Sequence, residues 1–198
     1  MILRICKVAL VGAVAFFMTL VVFNNLTDYF SNYHFVEHVM SMDTTFPGNN
    51  GMWRAIRSAE ADTLFYWMII LWETITGILC WWGTINLLRT LTGGAGIFNR
   101  AKAVAIAGLT ISLLQWFVAF ISVGGEWFLM WQSKIWNGQD AAFRMFTCIG
   151  IIELKTSFWT AVSFRSCRPA EVRNRNLRNL CNLRILFRLL FVSSVSLW

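Results

Sequence analysis

Several stretches of this chain are too long and too apolar to be strands or helices of a water-soluble domain. Val8 to Phe23 contains no charged residue and follows Arg4 and Lys7. Extended back to Ile5, this run can cross the ~30 Å hydrocarbon core of a bilayer at ~1.5 Å per residue. Leu64 to Leu88 is a second run, with Glu73 near its middle, and Ala103 to Val123 a third, containing Gln115. A fourth, Ala141 to Phe164, is interrupted by Glu153 and Lys155. In hydrocarbon every backbone N–H and C=O must be satisfied within the structure, and single runs of this length do so as helices. The predicted fold is therefore an all-α membrane protein. It is a four-transmembrane-helix bundle with spans about 5–23, 64–88, 103–123 and 141–164. One membrane domain, 1–164, is followed by a basic, partly apolar tail, 165–198. Ala13-Val14-Ala15 is the small-x-small pattern of a signal cleavage site. It lies inside the first run and would leave too short an apolar core, so that run is read as a retained helix.

Composition agrees. Hydrophobic residues make up 57% of the chain and charged residues 14%, against ~25% charged in a soluble domain. The net charge of +7 accompanies long apolar spans, so a nucleic-acid partner is set aside and the bilayer is the expected partner. Cys6, Cys80, Cys148, Cys167 and Cys181 show no CxxC spacing, which supports neither a zinc site nor a disulfide framework.

The segments between spans differ in charge. Twelve Lys and Arg residues fall in the N-terminus, the loop after span two and the tail, against four in the other two loops. The positive-inside rule then puts both termini in the cytoplasm. The two outer loops hold seven of the ten acids and are rich in aromatics, including Trp127, Trp131 and Trp136, which suit a membrane–water boundary. Phe46-Pro47-Gly48-Asn49-Asn50-Gly51 reads as a turn, and Tyr29–Met42 as a short surface helix. Asn25-Leu26-Thr27 fits a glycosylation sequon but is read as a loop cap ending span one. Gly124-Gly125 is read as a break after span three. Gly93-Gly94-Ala95-Gly96 has no preceding strand and no P-loop pattern, so it reads as a flexible turn.

Several of these motifs resemble a known family. Phe23-Asn24-Asn25-Leu26-Thr27-Asp28-Tyr29, Ser41-Met42-Asp43-Thr44-Thr45-Phe46-Pro47-Gly48 and Met52-Trp53-Arg54-Ala55-Ile56 are similar to those of a bacterial family of predicted small integral membrane proteins of unknown function. So are Phe98-Asn99-Arg100-Ala101-Lys102, Gly124-Gly125-Glu126-Trp127-Phe128-Leu129-Met130-Trp131-Gln132-Ser133 and Trp136-Asn137-Gly138-Gln139. The resemblance covers Met1 to Ile152 and implies a multi-pass, four-helix protein of the bacterial inner membrane. It implies no activity. From Glu153 onward the chain departs from the family pattern, as a frameshifted or replaced end would.

Intramembrane polar residues are costly, so Glu73 and Gln115 stand out as candidates. Counted from the same side, they lie at similar depth. Desolvation favours an uncharged carboxyl, and the expectation is a neutral Glu73 donating a hydrogen bond toward Gln115. Ala101, Ala105, Gly108, Ser112, Gln115, Ala119 and Ser122 recur at alternating spacings of four and three. Together with Gly77 in span two and Gly12 in span one, they predict close helix packing through small residues. His34 and His38 share a helix face and are weak metal or haem candidates. Two histidines without further ligands are more simply a wet surface, so no metal and no cofactor is assigned. No nucleophile motif such as GxSxG occurs and no catalytic residue is assigned. The leading expectation is a non-enzymatic accessory or scaffold component whose outer loops meet a protein partner or a second copy. The alternatives are a small transporter or channel using Glu73, and a haem- or quinone-linked electron-transfer protein.

Overall fold

A computed structural model describes residues 1–158. The last part of the expected fourth span and the tail 165–198 lie outside the described residues. Five helices follow in order: α1 (Ile2–Thr27), α2 (Tyr29–Ser41), α3 (Ala59–Arg89), α4 (Ala95–Leu114) and α5 (Gln139–Ser157). α4 continues without a break as a π-helix, Gln115–Trp127, and two single 3₁₀ turns occupy Met52–Arg54 and Met130–Gln132. The described residues contain no strand. α1, α3 and α4 with its π-helical extension, at 26, 31 and 33 residues, are long and apolar enough to cross a membrane.

Each spanning helix is longer than its apolar run. α3 starts before Leu64 because Ser58 caps it, its Oγ accepting from the Ala61 N–H at 3.4 Å. Glu60 and Asp62 in its first turn and Arg89 in its last suit the helix dipole. α4 takes in Ala95 and Gly96 of the expected flexible turn, so the linker shrinks to Thr90–Gly94. The Arg4 guanidinium fastens it, donating to the carbonyls of Leu91 at 2.8 Å and Gly93 at 2.7 Å. α1 runs past Phe23 to Thr27, so Asn25 is a helical residue and not a loop cap. Tertiary contacts described below override its weak helix propensity.

Small residues let the helices approach closely. A Cβ added to Gly83 would lie 2.5 Å from the Ala105 Cα, and one on Gly108 would lie 2.9 Å from the Cys80 Sγ, so α3 and α4 touch almost backbone to backbone. α1 meets α3 less tightly: Gly12 faces Thr84 at 3.4 Å and Gly77 faces Met18 at 3.5 Å. Val11, Ala15, Met18, Cys80, Leu87, Ala105 and Leu109 fill the centre and are inaccessible to solvent.

At one end of the bundle, α2 and segments 42–58 and 128–138 form a cap with its own apolar core of Val39, Met40, Met42, Phe128 and Met130. Thr44 Oγ1 donates to Ser133 Oγ at 2.8 Å and the Phe46 N–H to Gln132 Oε1 at 3.1 Å, tying the two segments together. Gly124-Gly125 does not break the helix before the cap. Both glycines are buried within the π-helix, and a Cβ on Gly125 would meet the Gln139 side chain at 2.5 Å. Gly125 thus serves close approach to the start of α5, while Gly124 faces the Met130 side chain of the cap.

Candidate intramembrane polar site

Four elements converge on Glu73, which is 2% exposed. From the start of the π-helical extension of α4, Gln115 Nε2 donates to Glu73 Oε1 at 3.1 Å. From α1, Asn25 Nδ2 donates to Glu73 Oε2 at 2.6 Å. Asn25 Oδ1 in turn accepts from Asn32 Nδ2 of α2 at 2.6 Å and from the Tyr66 hydroxyl at 3.4 Å. That hydroxyl also reaches the Asn25 carbonyl at 3.3 Å. One network thus pins α1, α2, α3 and α4 at the cap end. The carboxyl here accepts two bonds from amides and donates none, which differs from the expected donation toward Gln115. The direction follows from the Gln115 amide, which turns its Nε2 toward Glu73 and leaves its Oε1 without a partner, while Asn25 adds a second N–H donor from α1.

The π-helix begins at Gln115 and shapes the site. Its bonds run five residues back, as from the Phe128 N–H to the Val123 carbonyl at 3.0 Å. That wider turn changes the angular step, so the four-and-three spacing no longer marks one face beyond Gln115. Trp116 is buried beside Gln115. Ala119, counted in the same stripe as Gly108 and Ser112, lines a cavity and Ser122 is only half-buried. Along α4, Ala105, Gly108 and Ser112 are buried and Ala101 is half-buried.

The cavity, about 420 Å³, lies between α1, α2, α3 and the π-helix. Its wall is mostly apolar and aromatic, including Phe35, Phe65, Trp72, Phe120 and Phe128. Its polar lining comes from Asn25, Asn32, Glu73, Tyr66 and Trp116. The Trp116 Nε1–H is buried with no hydrogen-bond partner among the described residues, and so is Gln115 Oε1.

The histidines are placed elsewhere, on α2. His34 Nδ1 lies 2.9 Å from Glu37 Oε2, and His38 Nδ1 lies 2.6 Å from Asp43 Oδ2. His38 also stacks on Trp136 with ring centroids 4.6 Å apart. Each imidazole has its own carboxylate, and the described residues contain no group of three or more His, Cys, Asp or Glu side chains that could hold a metal ion.

Three features escaped the sequence reading. Asn25 follows Val11, Ala15, Met18 and Val22 at spacings of four and three, a signal that was available had α1 been extended past its apolar run. Trp116 gave no signal, because a 3.6-residue period places it off the packed face. At the other end, Lys7 and Lys102 are both buried and both donate to the Phe158 carbonyl at the end of α5, Lys102 at 2.7 Å. Lys7 also reaches the Thr156 carbonyl at 3.2 Å. Their early positions in apolar helices hid the fact that they share a partner.

Residues 3–156 match the family described as predicted small integral membrane protein (DUF2165). The chain belongs to this family. The match takes in α3, α4 with its π-helical extension, and all but the end residue of α1 and of α5, so the whole polar site lies on the family's own stretch. The family's description fixes membrane integration and leaves its biochemical function unknown. No curated protein and no solved structure matches the chain.

Proposed function

We propose that this small integral membrane protein is a non-enzymatic accessory component of the bacterial inner membrane, working through its cap as a preformed face for a protein partner or a second copy. One observation carries this reading. The cap has its own apolar core and cross-segment hydrogen bonds, yet leaves Phe46, Trp53, Trp131 and Ile135 exposed, the last at 75%. Rigid aromatic side chains on a preorganised surface lose little entropy when covered.

The topology that goes with it has four spans, with α5 as the fourth, both termini cytoplasmic and the cap outside. Support comes from α5 itself. Its far end meets Lys7 near the start of α1 and Lys102 near the start of α4, the arrangement four antiparallel crossings produce. Thr110 Oγ1 donates to Glu153 Oε1 at 2.8 Å, giving the acid within α5 a partner inside the bundle. The basic-residue bias of the loops supports the same orientation.

A transporter working through Glu73 has less support. Both carboxyl oxygens are occupied by amides, and the layers toward the other end, at Met18, Cys80 and Ala105, are fully packed.

The test is affinity purification of the full chain in mild detergent, beside Ile135→Glu, a surface change at the cap. The expected result is a stoichiometric protein partner, or a dimer, that the variant loses while keeping its thermal stability. Recovery of the same species with parent and variant, or a protein that is monomeric and unaccompanied in both, overturns the reading.

A further inference from the structure

A second pocket, of about 380 Å³, opens where the end of α2 and the residues after it meet the first turn of α3. Three carboxylates line it, Glu37, Asp43 and Asp62, together with Arg57. Glu37 and Asp43 each have an imidazole, from His34 and His38. Asp62 has no such partner, although it is only 4% exposed. Its Oδ1 is covered by protein and accepts no hydrogen bond among the described residues. The atom it can offer to the pocket is therefore Oδ2, which accepts none either. Glu37 is close enough to add like charge. A carboxylate buried with neither counter-charge nor hydrogen bond is costly, and a cation in the pocket relieves that cost.

The neighbouring residues narrow which cation fits. The described residues hold no group of His, Cys, Asp and Glu suited to a metal ion. An ammonium needs only a few oxygen acceptors and no fixed coordination shell. Asp62 Oδ2 and the Glu37 oxygen that His34 does not occupy, Oε1, are such acceptors. Arg57 adds the opposite requirement. It is exposed and makes no ion pair among the described residues, and a guanidinium suits a phosphate. The depth of the pocket indicates what carries both charges. Ser58 caps α3, Asp62 lies in its first turn, and the apolar run begins at Leu64, which is the level of lipid headgroups. One turn deeper on the side of Asp62, Phe65 is 37% exposed and offers an acyl chain an apolar surface.

We propose that this pocket holds the headgroup of an ethanolamine phospholipid, its primary ammonium donating to Asp62 Oδ2 and Glu37 and its phosphate resting against Arg57. The recognised chemistry is a zwitterion with a primary ammonium and a phosphate. Free phosphoethanolamine shares it, and the apolar surface at Phe65 favours the lipid. The proposal is independent of the cap reading, because it concerns a lipid at the first turn of α3 and not a protein on the exposed aromatics of the cap.

The test uses the full chain, delipidated in detergent, with phosphatidylethanolamine, phosphatidylcholine and phosphatidylglycerol of the same acyl chains as separate probes, read by native mass spectrometry. The expected result is a saturable one-to-one adduct with phosphatidylethanolamine, about fivefold tighter than with the other two. Choline has no N–H to donate, and glycerol carries no ammonium. Asp62→Asn keeps the shape but removes the charge, and should weaken the adduct about tenfold and erase the preference over phosphatidylcholine. Arg57→Ala, at an exposed position, should weaken it about two- to fivefold. Arg144→Ala removes an equally exposed charge from α5, outside the pocket, and should leave it unchanged. Circular dichroism melting establishes that each variant is folded, and if Asp62→Asn is not, the lipid series and Arg57→Ala decide. Equal binding of the three lipids, or a preference that Asp62→Asn leaves at full strength, overturns the site. An Arg57→Ala variant that binds like Arg144→Ala overturns the phosphate contact. Displacement of the lipid by an equal concentration of free phosphoethanolamine overturns the lipid as the occupant.

Discussion

Replacing Glu73 by Leu tests the polar site most directly. Leu has nearly the right length but accepts no hydrogen bond, so Asn25 Nδ2 and Gln115 Nε2, now at 2.6 and 3.1 Å from the carboxyl, lose their acceptor together. In a water-soluble core an orphaned donor costs ~1–3 kcal/mol, or ~2–6 for two. Within a membrane, hydrogen bonds between helices average ~0.6 kcal/mol and reach ~1.7, because the inserted but unpacked helices also find partners. The membrane scale applies here, which makes the expected loss ~1–3 kcal/mol. Some of it should reach the cap, since Asn25 also holds Asn32 and Tyr66. Glu73→Gln is the informative companion. Its carbonyl keeps one acceptor, while its new N–H₂ opposes the other amide. Gln115 can relieve that opposition by turning its amide over, because its Oε1 has no partner to lose. The Gln variant should therefore cost under ~1 kcal/mol. Unfolding by SDS titration in mixed micelles, followed by tryptophan fluorescence and circular dichroism, measures both. A Leu variant as stable as the parent, or Gln and Leu variants equally destabilised, would refute the acceptor argument. A double-mutant cycle between Glu73→Leu and Gln115→Leu should show non-additivity of at least ~0.5 kcal/mol, because the two changes remove one shared bond.

Close packing predicts an asymmetry among glycines. Gly83→Val should push α3 from α4 and lower the thermal midpoint of the purified protein by several degrees, since even a Cβ would lie 2.5 Å from the Ala105 Cα, whereas Gly96→Ala, with nothing within 4 Å of its Cβ, should be neutral. Equal tolerance at both positions would contradict the described α3–α4 contact. For orientation, a reporter active only in the periplasm should work when fused after Asn50 or Lys134 and fail after Gly94, and the reverse pattern would invert the topology.

Composition and hydropathy alone determined that this chain belongs in a bilayer. Uninterrupted apolar runs leave the backbone no other way to satisfy its hydrogen bonds. The small-residue rhythm in α4 pointed to the face that packs, because close approach depends on side-chain size, which a sequence displays directly. Glu73 and Gln115 were visible as candidates for the same reason: a polar group in hydrocarbon is conspicuous by its cost. Helix ends were less legible. Asn25 belongs to α1 only because Glu73, Asn32 and Tyr66 surround it, and those partners come from two other helices. The π-helix was invisible, since hydrophobic periodicity assumes the turn it is used to detect. Trp116 is buried at its start, and the cavity forms where α2 lies against α3 and that extension. A cavity is space left between elements distant in the chain, so no local pattern encodes it. The sequence determined the solvent, the helices and the costly groups, and only the tertiary structure decided which amides reach the carboxyl and which indole N–H is left without a partner.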